Sequence, residues 1–234
     1  MEFIFDVDGT LVDSSMSIDP EFKELLLWFF SEYPCHIVTG ASRSKTIEQL
    51  GPEICDAAAI MSNCGGALIT HRGNVIQSYD YSLGGSQKEW LKNWLRMSWF
   101  PLRTGRHFDH RDGMCNFSII GRNADARARA LYVQYDRMAR EREGICRAFN
   151  ALFPDDVARV AGETGIDITD RKVSKATILD HLGDVNDLIF FGDKTEQGGN
   201  DYPLSSLLPH VHQVSGWKET FEILKEYQAL TKQQ

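Results

Sequence analysis

The chain has 234 residues, 42% of them hydrophobic and 25% charged, which suits one large α/β domain or a core with a smaller inserted one and argues against disorder. The formal net charge of -8 speaks against sequence-independent binding to nucleic acid, which needs a basic surface, but leaves an anionic small substrate open. The five cysteines are odd in number and widely spaced with no Cys-x-x-Cys pair, so neither a zinc site nor a disulfide framework is signalled, and a reducing compartment fits best.

The N-terminus has no basic start, and no run of about 18 apolar residues occurs in the chain, so neither a signal peptide nor a membrane span is expected. A cytoplasmic location is expected by elimination. Phe3-Ile4-Phe5 reads as a short strand ending at Asp6, and Asp8-Gly9 marks a turn. Glu21 to Glu32 has helical spacing, with Pro20 where a first turn tolerates it. His36 to Thr39 reads as a second strand and Ser42 to Leu50 as a second helix. Ala57 to Met61 is an apolar run. Ala67 to Thr70 and Asn74 to Gln77 flank a turn and read as a hairpin.

The middle of the chain changes character. Gln87 to Met97 is a Trp-rich helical stretch, with Trp90 and Trp94 as candidate interface residues or ordinary core. Asn116 to Ile120 is strand-like. Ala124 to Glu143 reads as one long charged helix. Val157 to Ala161 and Ile166 to Thr169 are strand-like. The first pattern then returns: Thr177 to Leu182 reads as a helix, Leu188 to Phe191 and Val211 to Val214 as strands, and Trp217 to Leu230 as a final amphipathic helix. The expected architecture is α/β, a Rossmann-like parallel-sheet core of residues 1–79 and 171–234 with an α+β module of residues 80–170 inserted.

Open parallel sheets hold ligands at the carboxyl ends of their strands. Asp6-Val7-Asp8-Gly9-Thr10 follows the first strand and Thr39-Gly40 the second. Lys175 precedes a late helix, and Gly192-Asp193 with Asn200-Asp201 follows the Leu188 strand. Asp6 and Asp193 offer hard oxygens to Mg²⁺, and Asp8 and Asp201 complete the candidate metal set. Asp6 suits attack on phosphorus, Asp8 proton transfer, and Thr39 and Lys175 the holding of phosphoryl oxygens. A calcium loop is excluded, because its sixth position would be Leu11 and its twelfth Ser17. No Walker-type loop and no G-x-G-x-x-G opening a helix occurs.

These motifs resemble those of the haloacid dehalogenase superfamily: FDVDGTL from Phe5 to Leu11, then Thr39, Lys175, and Gly192-Asp193 with Asn200-Asp201. Within it the chain resembles the eukaryotic-type phosphomannomutases. The stretches that carry the likeness are GASRSKTIEQLG from Gly40 to Gly51, RDGMCNFSIIGR from Arg111 to Arg122, and GDKTEQGGND from Gly192 to Asp201. The resemblance implies a large α+β cap. It also implies an aspartyl-phosphate at Asp6 and a cap site for the distal phosphate and sugar at Arg111, Arg122, Arg129 and Asp167. The implied substrate is a hexose phosphate, with hexose 1,6-bisphosphate as activator and a cap-to-cap homodimer as the assembly. A phosphohexomutase is the first expectation. An Mg²⁺-dependent sugar-phosphate phosphatase is the alternative, and the Lys172-Val173-Ser174-Lys175 stretch is closer to that group. Two positions depart from the mutase pattern: Gly165 stands where the family has a phosphate-holding serine, and Ser15 where it has an arginine.

Overall fold

The computed structural model describes residues 1–14, 16–111 and 113–232; Ser15 and Asp112 lie outside the described residues. In chain order the elements are β1 (Glu2–Asp6), α1 (Pro20–Glu32), β2 (Cys35–Val38), α2 (Arg43–Leu50), α3 (Pro52–Ala57), β3 (Ile60–Asn63), β4 (Leu68–His71), β5 (Asn74–Ser78), α4 (Gly85–Met97), β6 (Phe108–Arg111) and β7 (Met114–Phe117). They continue with α5 (Ala126–Ala139), α6 (Glu141–Leu152), β8 (Asp156–Ala161), β9 (Gly165–Asp170), β10 (Leu188–Gly192), α7 (Tyr202–Ser205), β11 (His210–Gln213) and α8 (Trp217–Thr231). The chain divides into one unit of Met1–Ser78 with Val173–Gln234 and another of Tyr79–Lys172.

The first unit is built on a seven-stranded sheet in the order β11-β10-β1-β2-β3-β4-β5. β11 to β3 run parallel, and β4 and β5 add the expected hairpin antiparallel at one edge. β1 is buried on both faces, which explains its unbroken apolar run. Phe3 and Phe5 pack with Phe22, Leu26 and Phe29 of α1 and Leu224 of α8. Ile4 points the other way, into a cluster with Val38, Ile69, Ile178 and Phe190. α1 begins where it does because the Asp19 side chain accepts from the Glu21 and Phe22 amides and Pro20 fills the first turn.

The second unit is a four-stranded antiparallel sheet, β6-β7-β9-β8, covered on one face by helices. Alternation sets its two faces. Cys115, Phe117, Ile166 and Ile168 join Leu91, Tyr132 and Phe149 in the core. The intervening residues Asn116 and Asp167 are opposed in register on the other face, with Asp109 beyond Asn116 and Arg159 beyond Asp167. Trp90 and Trp94 are partly buried against this core, Trp90 edge-on to Phe149 and Phe153.

The mixed α/β class and the mostly parallel main sheet hold, and the structure corrects several local readings. The long helix expected from Ala124 to Glu143 is two helices. Arg140 between them takes a left-handed conformation with φ 48°. The Asp136 carboxylate fixes the break by accepting from the Arg142 amide at 2.9 Å and from its Nε at 2.7 Å. α6 then extends to Leu152, and its Ile145, Cys146 and Phe149 are the apolar stripe that holds it down. The stretch expected as a helix from Thr177 is a 3-10 helix over Lys175–His181. The strand expected to run from Asn116 to Ile120 ends at Phe117, because Ser118 turns its hydroxyl to the Thr164 carbonyl and accepts from the Gly121 amide. β6 carried no alternation and was not foreseen. All five cysteines are free and buried. Among the described residues no helix is long and apolar enough to cross a membrane.

One consequence for stability follows from β2. His36 is buried, and that burial holds its imidazole below the usual range against the opposing pull of a hydrogen bond to Glu2 at 2.7 Å. The unfolded chain therefore takes up a proton here at higher pH than the folded chain. Stability is full above the ordinary histidine value of about 6.5 and falls as pH drops from there toward the depressed folded value. The urea midpoint should decline as pH drops below about 6.5, and His36→Gln should make that decline shallower. An unchanged slope would show that other groups set it.

Candidate active site

β1 lies at the point where the sheet order reverses, with β2 on one side and β10 on the other. Such a switch point opens a crevice at the carboxyl ends of the strands. Asp6 is the last residue of β1, Thr39 follows β2, and Asp193 follows β10. Lys175 opens the 3-10 helix that brings the chain back to this end, with Ser174 as its cap.

The geometry around Asp6 is tight. The Lys175 ammonium lies between two carboxylates, donating to Asp6 Oδ1 and, at 2.6 Å, to Asp201 Oδ1. Thr10 Oγ1 donates to the other Asp6 oxygen at 3.4 Å. Asp201 is fully buried and accepts from the Lys194 amide at 3.1 Å. Oxygens of Asp6, Asp193 and Asp201 all lie within 4.8 Å of one another. Gly9 is required at the turn: its φ is +88°, and a Cβ there would collide with the Asp193 carboxylate.

Charge here is divided between a buried lysine, Lys175, held by Asp6 and Asp201, and the exposed Lys194, whose Nζ lies 3.3 Å from Asp193 Oδ2. Burial raises the Asp6 carboxyl to about 7, with Lys175 pulling it down and Asp201 pushing it up. Burial also works against the Lys175 ammonium, but Asp6 and Asp201 outweigh it and hold that group above its ordinary value. Burial raises Asp193 as well. Asp193 Oδ1 is buried with no hydrogen-bond partner. An unpaired buried carboxylate oxygen beside two further carboxylates fits a hard divalent cation. Asp8 stands outside this trio; its carboxylate accepts from Gln49 Nε2 at 2.9 Å. Thr39 is buried and its hydroxyl accepts from the Ala41 amide at 3.0 Å.

The second unit gathers its own set. Arg111, Arg122, Arg129 and Asp167 line one cavity of about 210 Å³. Arg111 ends β6, Arg122 follows β7, Arg129 is on α5, and Asp167 is in β9. Asp109, which the sequence reading passed over, is the counter-charge. It accepts from Arg111 Nε at 3.1 Å and lies 3.6 Å from Arg122 Nε. Burial, and then Arg111, pull Arg122 below the usual guanidinium range. A bound dianion would relieve that crowding of like charge. Arg129 pairs with Glu163 at 3.7 Å. Burial raises Asp167, opposed by the Asn116 amide and the arginines.

Sequence reasoning gave no role to Gln49 or Asn116, although both lie in stretches that carry the family likeness. Gln49 had no signal of its own, being one polar residue on a polar helix. Asn116 had a faint one: a polar residue between Cys115 and Phe117 in an otherwise buried strand.

Residues 23–229 match the eukaryotic phosphomannomutases as a family. The chain belongs to that family. A phosphomannomutase of Galdieria sulphuraria is 32% identical over 212 residues, covering 86% of this chain and 83% of its own. The Saccharomyces cerevisiae phosphomannomutase is 29% identical over 234 residues, covering 95% and 92%. Among solved structures, a phosphatase of the haloalkanoate (HAD) enzyme superfamily from Bacteroides thetaiotaomicron superposes with a TM-score of 0.61 at 16% identity, covering 97% and 94%. At that identity the likeness concerns the fold. Membership of the phosphomannomutase family makes this chain an enzyme of phosphoryl transfer.

Proposed function

We propose that this protein is a phosphohexomutase that moves a phosphoryl group between C1 and C6 of a hexose through an aspartyl-phosphate on Asp6. The observation that carries this reading is the pair of unlike anion sites. One, in the first unit, has a nucleophile; the other, in the second unit, has three arginines. A hexose bisphosphate carries two phosphates, and a mutase must hold the one it is not transferring.

Asp6 attacks phosphorus while the ester bond to the sugar oxygen breaks, and Asp8 gives that oxygen its proton. In the return step Asp8 takes the proton of the other sugar hydroxyl as it attacks the aspartyl-phosphate and Asp6 departs. Lys175 and Thr39 hold the phosphoryl oxygens. Gln49 holds Asp8 in place. Mg²⁺, for which Asp6, Asp193 and Asp201 are the fitting ligands, would neutralise phosphate charge that otherwise repels the carboxylates. Arg122 and Arg129, with Arg111, take the distal phosphate through guanidinium forks. Hexose 1,6-bisphosphate is the activator that first loads Asp6. A homodimer through the second unit is part of this reading, and Trp99 there is 90% exposed.

Hydrolysis of the aspartyl-phosphate by water is the rival outcome. The curated relatives favour transfer to a sugar, whereas the phosphatase likeness is one of fold. Phosphorus NMR on enzyme given Mg²⁺, mannose 1-phosphate and a trace of hexose 1,6-bisphosphate separates the two. Hexose 6-phosphate without free phosphate, abolished by a chelator, is expected. Steady release of inorganic phosphate alone would make the protein a phosphatase.

A further inference from the structure

We propose that Asn63 and Gly66 are positioning residues for phosphoryl transfer: the turn that leaves β3 sets the place of Thr39 on one side and of Lys175 on the other. This deepens the phosphohexomutase reading and rests on its assignment of those two side chains to the phosphoryl oxygens.

The turn is strained. β3 and β4 pair as far as Asn63 and Leu68, which leaves Cys64 to Ala67 to join them. A connection of that length is most often built around an unstrained type I turn. Here Cys64, Gly65 and Gly66 take positive φ in succession, at 52°, 67° and 104°. The left-handed region is costly for a residue with a side chain, as Cys64 is. Strain of this kind persists where the surroundings over-determine it, and it gathers at functional sites.

The turn faces two ways. On one side it grips the segment after β2. The Gly65 amide donates to the Thr39 carbonyl and the Cys64 amide to the Ala41 carbonyl, both at 2.9 Å. Asn63 is fully buried, and its Nδ2 donates to the same Ala41 carbonyl at 3.4 Å and to Thr46 Oγ1 at 3.0 Å. The Ala41 amide in turn donates to Thr39 Oγ1. That bond occupies a lone pair of the hydroxyl and leaves its proton for a phosphoryl oxygen. Asn63 therefore acts on Thr39 through Ala41.

On the other side Gly66 backs onto the peptide before Lys175. A Cβ at Gly66 would fall on the Ser174 carbonyl and stand 3.0 Å from Thr177 Oγ1. Ser174 caps the 3-10 helix that Lys175 opens, and Thr177 Oγ1 accepts from the Ser174 amide at 3.2 Å. Nothing larger than glycine fits without moving that cap, and Lys175 with it. Thr39 and Lys175 come from distant parts of the chain, and this one turn touches the backbone that carries each.

The test joins steady-state kinetics of the whole enzyme to inhibition by orthovanadate. Vanadate mimics a phosphoryl group in transfer, and its inhibition constant does not depend on how much of the protein is folded. Gly66→Ala should lower kcat and weaken vanadate by about tenfold or more, because misplacing a group by about 1 Å costs on the order of 100-fold in rate. KM for mannose 1-phosphate should stay within about threefold, since an interaction made only in the transition state is lost from kcat. Asn63→Leu, close in size to asparagine, should weaken vanadate likewise and decides the matter if the first variant fails to fold. A merely structural turn would lower the melting temperature and leave vanadate inhibition unchanged. That result in both variants overturns the inference and leaves the mutase reading standing. A wild type that converts no hexose phosphate overturns that reading and this inference with it.

Discussion

Replacing Asp6 with asparagine is expected to lower kcat/KM for hexose phosphate by about 10⁴-fold or more, the scale on which loss of a covalent nucleophile is felt. The amide keeps the shape of the carboxylate but cannot attack phosphorus. The fold should survive, because Lys175 keeps its bond to Asp201 and the site loses one of three crowded carboxylates. The check is steady-state kinetics together with intact-mass detection of a phosphoryl adduct, present in wild type and absent in the variant. A variant that retains about a hundredth of the activity would remove Asp6 from the role of nucleophile.

Removing the cap guanidinium at Arg122 should lower kcat/KM by about 10- to 100-fold, from the roughly 1.5–3 kcal/mol of a charged hydrogen bond. The effect should also change the product. A bisphosphate held less firmly leaves before its second phosphate reaches Asp6, so Arg122→Ala should release more free hexose 1,6-bisphosphate per hexose 6-phosphate formed. Arg122→Lys should recover only part of the loss, since an ammonium supplies charge without the planar fork. Phosphorus NMR reads both products at once. An unchanged rate and product ratio would show that the distal phosphate is held elsewhere.

Most of the candidate catalytic set was legible in the sequence because Asp6, Thr39 and Asp193 sit at strand ends, while Lys175 opens a 3-10 helix. Phe3-Ile4-Phe5 is apolar throughout, so it declared a buried strand, and the residues after such a strand fall at the mouth of the sheet. The same logic found Asp193 after Leu188–Gly192 and Thr39 after β2. The long helix failed for a physical reason. Periodicity runs straight across Arg140, and nothing in its own identity predicts a left-handed turn. The Asp136 carboxylate that holds the turn lies four residues away and acts only once Arg142 has folded back onto it.

The sequence by itself pointed to the α/β class, the candidate nucleophile and the acidic residues near it, from the alternation of apolar runs and the chemistry of short motifs, which survive without knowledge of contacts; the arginines of the middle region came only from the family resemblance. Only the tertiary structure decided which carboxylates share a site and which one stands apart toward Gln49. It alone showed that Lys175 bridges Asp6 and Asp201 across the fold, that Asp109 is the counter-charge to Arg111 and Arg122, and that the turn after β3 lies against both the Thr39 segment and Ser174. Strand register and burial fix those pairings, and both are properties of residues distant in sequence that meet only when the sheets form.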